Sequence, residues 1–172
     1  MGQAHPRDGH TAGVAVAASN GDRGVLVGRG LYSEELPVGF RFRTMARTIA
    51  ESDLLSFVNL LWYREEGFVN SQLVGTSAIA GRFVPGALVY CIAEGLVMPS
   101  VQFTARGLLQ DQLDHKAPTL VGDTVRVEAE VIESRPAGQE ALVRTRNEVR
   151  NQRDELVLVY TPLRRVASGR EG

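Results

Sequence analysis

The chain has 172 residues, and 44% of them are hydrophobic, which is enough for one compact domain with an ordinary core. Its formal net charge of −1 argues against a surface that binds nucleic acid or another polyanion. The single cysteine excludes an internal disulfide, and no ligand spacing predicts a metal site.

The N-terminal part of the chain is rich in small residues and has no sustained period. We therefore expect a flexible extension over residues 1–29 with a short strand at Gly24–Val27, one domain over 30–168, and a tail over 169–172. His5 and His10 lack a carboxylate or cysteine partner for a metal and are expected to be exposed. Neither a membrane span nor a secretory leader is visible, so we expect a cytoplasmic protein.

The first regular elements of the domain are a strand and a capped helix. Phenylalanines alternate with arginines over residues 39–47, which predicts a strand. Thr48 followed by Glu51 matches the capping box and predicts a helix start. The helix has one apolar stripe at helical spacing. The stripe consists of Leu54, Val58, Leu61 and Trp62.

A longer apolar helix follows a mixed segment, 63–79, which predicts a loop with short helical turns. Proline suits the first turn of a helix, where its missing N–H has no partner. We therefore predict a helix from Pro85 to about Met98, ended by Pro99. Because it is apolar on several sides, the helix should be central, with Cys91 as a buried thiol.

After this helix, apolar residues recur at every second position, which is the period of β-strands. One long, bent strand is predicted over 101–117, and strands with one apolar face follow around residues 125–131 and 143–149. Leu156–Val166 predicts a last strand, with Pro162 at a bulge or edge because proline cannot donate to the ladder. A sheet with one apolar face requires cover, and the long helix can supply it. We therefore expect an α+β fold, an antiparallel sheet around one long helix.

Three segments carry a resemblance to a known family. Arg47–Asp53 resembles a helix-start signature, and Gly81–Gly86 resembles a Gly-Arg-Ile-x-His-Gly turn with Pro85 at the histidine. Lys116–Thr124 resembles a Pro-Val-x-x-Gly-Asp-Thr strand start. Together they resemble the MaoC-like R-specific enoyl-CoA hydratases and acyl dehydratases, from about Leu36 onward. The resemblance implies the hotdog fold and pairing of subunits into a homodimer or heterodimer.

The usual catalytic residues of that family are absent. In its catalytic members an Asp and a His within Gly-Asp-x-Asn-Pro-x-His activate water, and backbone N–H groups at a helix start polarise the thioester carbonyl. Ungapped alignment places Tyr63 at the aspartate and Phe68 at the histidine. A phenol has a reference pKa of about 10, and a phenyl ring has no proton to exchange. The standard dyad therefore cannot operate.

The same alignment places Glu94 and Gly95 at a Ser-Gly pair that lines the family's pocket. A carboxylate in an apolar helix is costly unless it is paired or functional, and burial raises its pKa toward the range of a general acid or base. Two alternatives stay open, a catalytic Glu94 or an ion pair with one of the many arginines, for example Arg82 or Arg106. The catalytic candidates are Glu94 and Tyr63. The candidates for substrate binding are Asn59, Phe68, Pro85, Gly86 and Gly95.

Other polar residues are weaker candidates. If alternation holds, Asp111 and His115 share one face of a strand and could form a dyad, while exposed strand residues, including Asp114, are the alternative. Glu65 and Glu66 are expected to be solvated charges. The aromatic residues at positions 62, 63 and 68 are expected to form pocket walls or core.

The resemblance implies a hydratase or dehydratase of acyl-CoA or acyl-carrier-protein thioesters with a non-standard active site. One alternative is a non-catalytic subunit that binds thioesters or supports a heterodimer. Another is a specialised polyketide-type dehydratase or cyclase. No metal or bound cofactor is expected, since coenzyme A would arrive with the substrate, and neither nucleic acid nor a membrane is expected as a partner.

Overall fold

The computed structural model describes residues 24–70, 72 and 81–169, with the side chains of residues 105 and 106 outside the description. His5 and His10 lie outside the described residues. The helices are α1 Glu51–Leu61, α2 Glu66–Val69 and α3 Gly86–Val101. The strands are β1 Val25–Leu26, β2 Arg41–Arg43, β3 Arg47–Thr48, β4 Thr104–Gln110, β5 Leu113–His115, β6 Thr124–Ala137, β7 Glu140–Arg150, β8 Leu156–Tyr160 and β9 Leu163–Ala167.

The sheet is built around the long β6–β7 hairpin. The strand order is β1-β2-β6-β7-β8-β5. Strand β9 pairs with the other end of β7, and β4 pairs with β9. Pairing is antiparallel except between β1 and β2. Alternate residues of β6 and β7 are buried, as the period of two predicts, and α3 packs against β6. The result is an α+β fold in which the sheet wraps around one long helix.

Helix α1 begins later than its sequence motif predicts. Thr48 belongs to β3, which pairs with β6, and its hydroxyl is hydrogen-bonded to that of Thr124 at 2.7 Å. The helix starts at Glu51, and the N–H of Ala50 donates to Asp53 Oδ2 at 2.9 Å. The predicted Thr48–Glu51 capping box is wrong because Ala50 is the N-cap residue, and strand pairing directs the Thr48 hydroxyl to Thr124.

Helix α1 ends in a left-handed turn at Trp62, whose φ is 54°. The indole is 72% exposed and stacks with the guanidinium of Arg64, which lies 3.9 Å from the ring centroid. The prediction that Trp62 forms core or a pocket wall is therefore wrong. The turn directs the chain away from the helix axis and leaves the side chain in solvent.

Helix α3 runs through Pro99 and ends at Val101. A proline this close to the end removes a single helical hydrogen bond, and other contacts hold the last turn. The N–H of Leu31 donates to the Ser100 carbonyl at 3.0 Å, and the Ser100 hydroxyl donates to the Val27 carbonyl at 3.1 Å. The predicted stop at Pro99 is thus wrong. Cys91 is exposed on α3, so the predicted buried thiol is wrong too.

Two strand predictions are refined. The long strand expected over 101–117 is divided into β4 and β5, with Asp111 between them. Pro162 separates β8 from β9, as its missing donor predicts, and its carbonyl accepts from the Thr145 N–H at 3.2 Å. None of the helices in the described ranges has the length and apolar character that crossing a membrane requires.

Candidate functional site

A cavity of about 740 Å³ opens beside the first turn of α3. Its wall is mostly apolar and aromatic, with a few polar groups, as is typical of small-molecule sites. The lining residues are Tyr63, Phe68, Phe83, Val84, Gly86, Ala87, Val89, Tyr90, Leu113, His115, Lys116, Ala117, Pro118, Thr119 and Val157. Tyr63, Phe68 and Gly86, three of the predicted site residues, thus meet in one place.

An aromatic cluster forms one side of the cavity. The ring of Phe68, which is buried, lies 5.8 Å from that of Tyr63 and meets Phe83 edge to face at 5.0 Å. Arg82 fixes the backbone there, because its guanidinium donates to the Phe68 carbonyl at 2.7 Å and pairs with Glu51. Tyr63 and Phe68, which the sequence alignment predicts at the dyad positions, therefore belong to an aromatic wall.

The first turn of α3 supplies the polar end of the cavity. The carbonyl of Pro85, the N-cap residue, accepts from the N–H groups of Leu88 and Val89 at 2.9 and 3.2 Å. The N–H groups of Gly86 and Ala87 head the helix, where no earlier turn provides an acceptor. These N–H groups form the positive end of the helix dipole, which stabilises an oxygen that carries negative charge. Pro85 itself is buried and caps the helix without lining the cavity.

The imidazole of His115 lies directly against Gly86. A Cβ at residue 86 would be 2.5 Å from Cε1 of His115 and 2.9 Å from each ring nitrogen. Glycine is therefore the residue that allows the ring to approach the helix start. His115 lies in β5, where it is opposite Leu158 of β8.

One turn further along α3, Tyr90 meets Asp111. The Tyr90 hydroxyl donates to Asp111 Oδ2 at 3.0 Å. Burial raises the pKa of Asp111 above its ordinary value. Burial, and then the hydrogen bond to Asp111, raises the pKa of Tyr90 as well. In the Tyr90–Asp111 hydrogen bond the proton thus stays on the phenol oxygen of Tyr90.

One turn further again, Glu94 meets Arg164 of β9. Nη2 of Arg164 lies 2.6 and 2.5 Å from the two carboxylate oxygens of Glu94. The partner is thus Arg164 and not Arg82, which pairs with Glu51. The side chain of Arg106, also named from the sequence, lies outside the description. Glu94 does not line the cavity. Nearby, burial and then the charge of Glu94 raise the pKa of Tyr160 well above its ordinary value.

These three contacts form a polar stripe along α3, because residues four apart lie on one face of a helix. The α3 stripe consists of Gly86, Tyr90 and Glu94, met by His115, Asp111 and Arg164 respectively. Asp111 and His115 therefore both contact α3, although Asp111 lies between β4 and β5 and not in a strand, and no hydrogen bond joins these two described residues. The spacing of four was visible in the sequence, whereas the identity of the partners required the sheet.

The remaining predicted residues lie elsewhere. Asn59 is exposed on α1 and does not line the cavity. Gly95 lines a separate groove between α1 and α3, together with Cys91. Glu65 and Glu66 are both exposed, as expected of solvated charges.

No protein-family model matches the sequence, and no curated protein is significantly similar to it. Solved structures do match. A MaoC-like dehydratase from Rhodospirillum rubrum is 24% identical, with a TM-score of 0.72 over 83% of this chain and 100% of that chain. The R-hydratase PhaJ1 from Pseudomonas aeruginosa is 23% identical, with a TM-score of 0.66 over 80% of this chain and 86% of that chain.

A third similar structure is a Mycobacterium tuberculosis protein with a double hotdog fold. It is 19% identical, with a TM-score of 0.76 over 83% of this chain and 46% of that chain, so this chain spans about half its length. At these identities the likeness establishes the fold. The chain is a hotdog-fold protein, and MaoC-like dehydratases and R-hydratases are among its structural neighbours.

Proposed function

We propose that the protein is a MaoC-like hydratase or dehydratase of acyl thioesters with a non-standard active site. The observation that carries the proposal is the cavity of about 740 Å³ that ends at the first turn of α3. An acyl thioester has an apolar chain and a carbonyl whose oxygen gains negative charge during the reaction. The cavity offers apolar walls to the chain and helix-start N–H groups to the oxygen.

In this proposal the thioester carbonyl binds at Gly86 and Ala87. The acyl chain lies against Phe68 and Phe83, and the coenzyme A or carrier-protein arm remains outside the cavity. Water adds across the C2=C3 bond in one direction and leaves in the other. Negative charge develops on the thioester oxygen in both directions, so the N–H groups stabilise the same species.

The catalytic roles of Tyr63 and Glu94 stay predictions. Tyr63 lines the cavity, which supports a role in positioning the substrate or donating a proton. Glu94 is held by Arg164 and does not line the cavity, which supports the alternative of a structural ion pair. The acid–base group of the reaction therefore has to be sought among the residues that line the cavity.

The proposal is tested with the full chain and a series of trans-2-enoyl-CoA thioesters of increasing length. We expect loss of the enoyl absorbance, and the reverse reaction with one enantiomer of the 3-hydroxyacyl-CoA. Ala87→Trp provides a matched variant, because Ala87 is exposed and lines the cavity. Its indole should obstruct the carbonyl end of the cavity and lower turnover at every chain length. If neither direction proceeds with any CoA or acyl-carrier substrate, the proposal is wrong.

A second candidate function is a subunit that binds thioesters without turnover, or that supports an active partner in a heterodimer. The packed Tyr63–Phe68 pair at the family's dyad positions favours it. A neighbour with two hotdog units in one chain is compatible with such pairing. Acyl-CoA binding without turnover would support this candidate, whereas homodimers in native mass spectrometry together with turnover by the pure protein would exclude it. The polyketide alternative calls for carrier-bound substrates in the same assay.

A further inference from the structure

We propose that His115 is the general acid–base of this site and takes the place of the family's missing Asp/His dyad. This proposal rests on the proposed function and names the residue that moves the proton. It is carried by one contact, the imidazole of His115 against Gly86 at the start of α3.

The other proton-bearing side chains of the cavity are less suited to this role. The Tyr90 hydroxyl donates to Asp111, and the ammonium of Lys116 pairs with Asp114. Phenols and ammonium groups have reference pKa values of about 10, so their basic forms are scarce at neutral pH. Imidazole is the side-chain group whose reference pKa, about 6.5, provides both forms near neutrality. His115 is the histidine within the described residues that lines the cavity.

The position of the ring agrees with the chemistry. The thioester carbonyl would bind at the N–H groups of Gly86 and Ala87, and C2 and C3 are the next two atoms of the acyl chain. The ring nitrogens lie 2.9 Å from the place of a Cβ on Gly86, so they are beside those carbons. The strand holds the backbone of the histidine, since β5 pairs with β8 and the Lys116 N–H donates to the Val157 carbonyl at 3.0 Å.

The reaction balances with this one group. Neutral imidazole takes a proton from water while the water oxygen forms a bond to C3. The electron pair of the C2=C3 bond moves toward the carbonyl and gives an enolate, whose oxygen is held by the helix-start N–H groups. The imidazolium then gives its proton to C2, the electron pair returns, and the net change is addition of water. Dehydration follows the same steps in reverse.

The test compares His115→Ala and His115→Gln with the wild type on the best enoyl-CoA substrate. We expect a fall in kcat of about 100-fold or more, with little change in KM, because a general acid–base group contributes on that scale. Imidazole added to His115→Ala should restore part of the turnover, since the side chain is exposed and its place is open to solvent. A merely structural histidine would not respond to added imidazole.

The control is Gln112→Ala, in the connection between β4 and β5, where Gln112 is exposed and does not line the cavity. It should retain wild-type turnover, and thermal melting should show that all variants are folded. Near-wild-type turnover by His115→Ala would overturn the role of His115 and leave the proposed function intact. An inactive wild type would overturn the proposed function, and the role of His115 with it.

Discussion

One terminal nitrogen of Arg164 lies between the two carboxylate oxygens of Glu94, at 2.6 and 2.5 Å. The Arg164 side chain is 5% exposed and that of Glu94 18%, so both charges are largely removed from water. Such a pair contributes little net stability, because desolvation offsets the attraction between its charges. Losing one partner, in contrast, leaves the other charge buried alone.

We therefore predict that Glu94→Leu lowers the free energy of unfolding by about 3–5 kcal/mol, because Arg164 is left uncompensated. The double variant Glu94→Leu/Arg164→Met should recover most of that loss. Urea denaturation of the two variants and the wild type measures the effect. If the double variant is as unstable as the single one, the ion pair is not the cause.

The same pair of residues separates a structural from a catalytic role for Glu94. On this geometry we expect the folded double variant to retain turnover within a few-fold of the wild type. A fall in kcat of about 100-fold, the scale of a lost general acid or base, would instead establish Glu94 as a catalytic residue.

Gly86→Ala should lower turnover without unfolding the protein. The new methyl group would occupy the place of the His115 imidazole, whose far end is free to rotate away. Because alanine is a better helix former than glycine, we expect the free energy of unfolding to change by less than about 1 kcal/mol. A displaced catalytic group can cost about 100-fold in rate. Steady-state kinetics and denaturation measure both effects, and unchanged kinetics would contradict the importance of the contact.

Asp111→Asn should change how stability depends on pH. Burial raises the pKa of Asp111 in the folded state, so the folded state binds the proton more tightly than the unfolded state. The wild type therefore loses stability as the pH rises above the ordinary carboxyl value of about 3.9, and asparagine avoids this loss. We expect the stability of the variant relative to the wild type, measured by urea denaturation, to increase as the pH rises above about 4. A constant difference over that range would be the contrary result.

The left-handed backbone at Trp62 predicts a difference between two substitutions there. Asparagine tolerates a φ of 54°, whereas the β-branched side chain of valine does not. Both variants lose the stacking with Arg64, so their comparison isolates the backbone effect. We expect Trp62→Val to be less stable than Trp62→Asn by about 1 kcal/mol. Thermal melting of both variants checks the order.

Gly95→Ala should raise stability. Gly95 lies inside α3, and a Cβ there would have no atom within 4 Å. Alanine in a helix interior is more favourable than glycine by about 0.5–1 kcal/mol. Denaturation measures the gain, while the KM for enoyl-CoA tests the prediction that Gly95 binds substrate, because an added methyl group would then weaken binding.

Local sequence patterns predicted those strands and helices whose conformation is determined by which of their faces is buried. The alternation of β6 and β7 follows from one buried face, and even the polar Thr145 and Asn147 lie on that face. The start of α1 could not be predicted in the same way. Thr48-x-x-Glu51 satisfies the cap motif, but pairing of Thr48 with Thr124, 76 residues away, decides its conformation.

The candidate site was predicted only in part, because local sequence identifies some of its residues but not their long-range partners. Gly86 belongs to a segment that resembles the family locally, and ungapped alignment identifies Tyr63 and Phe68; all three line one cavity. Arg164 lies 70 residues after Glu94, and Asp111 lies 21 residues after Tyr90. A helix position specifies which face a residue presents, whereas its partner depends on strand register, which local periodicity does not determine.

The position of Arg164 in β9 also has a consequence for how the chain folds. The β6–β7 hairpin joins neighbouring segments, so it can form early, but the charge that neutralises Glu94 belongs to β9, which follows both strands. During synthesis, α3 emerges long before that strand. The helix can therefore reach its final packing only after β9 has been synthesised, and a chain truncated before residue 164 would expose it to proteolysis.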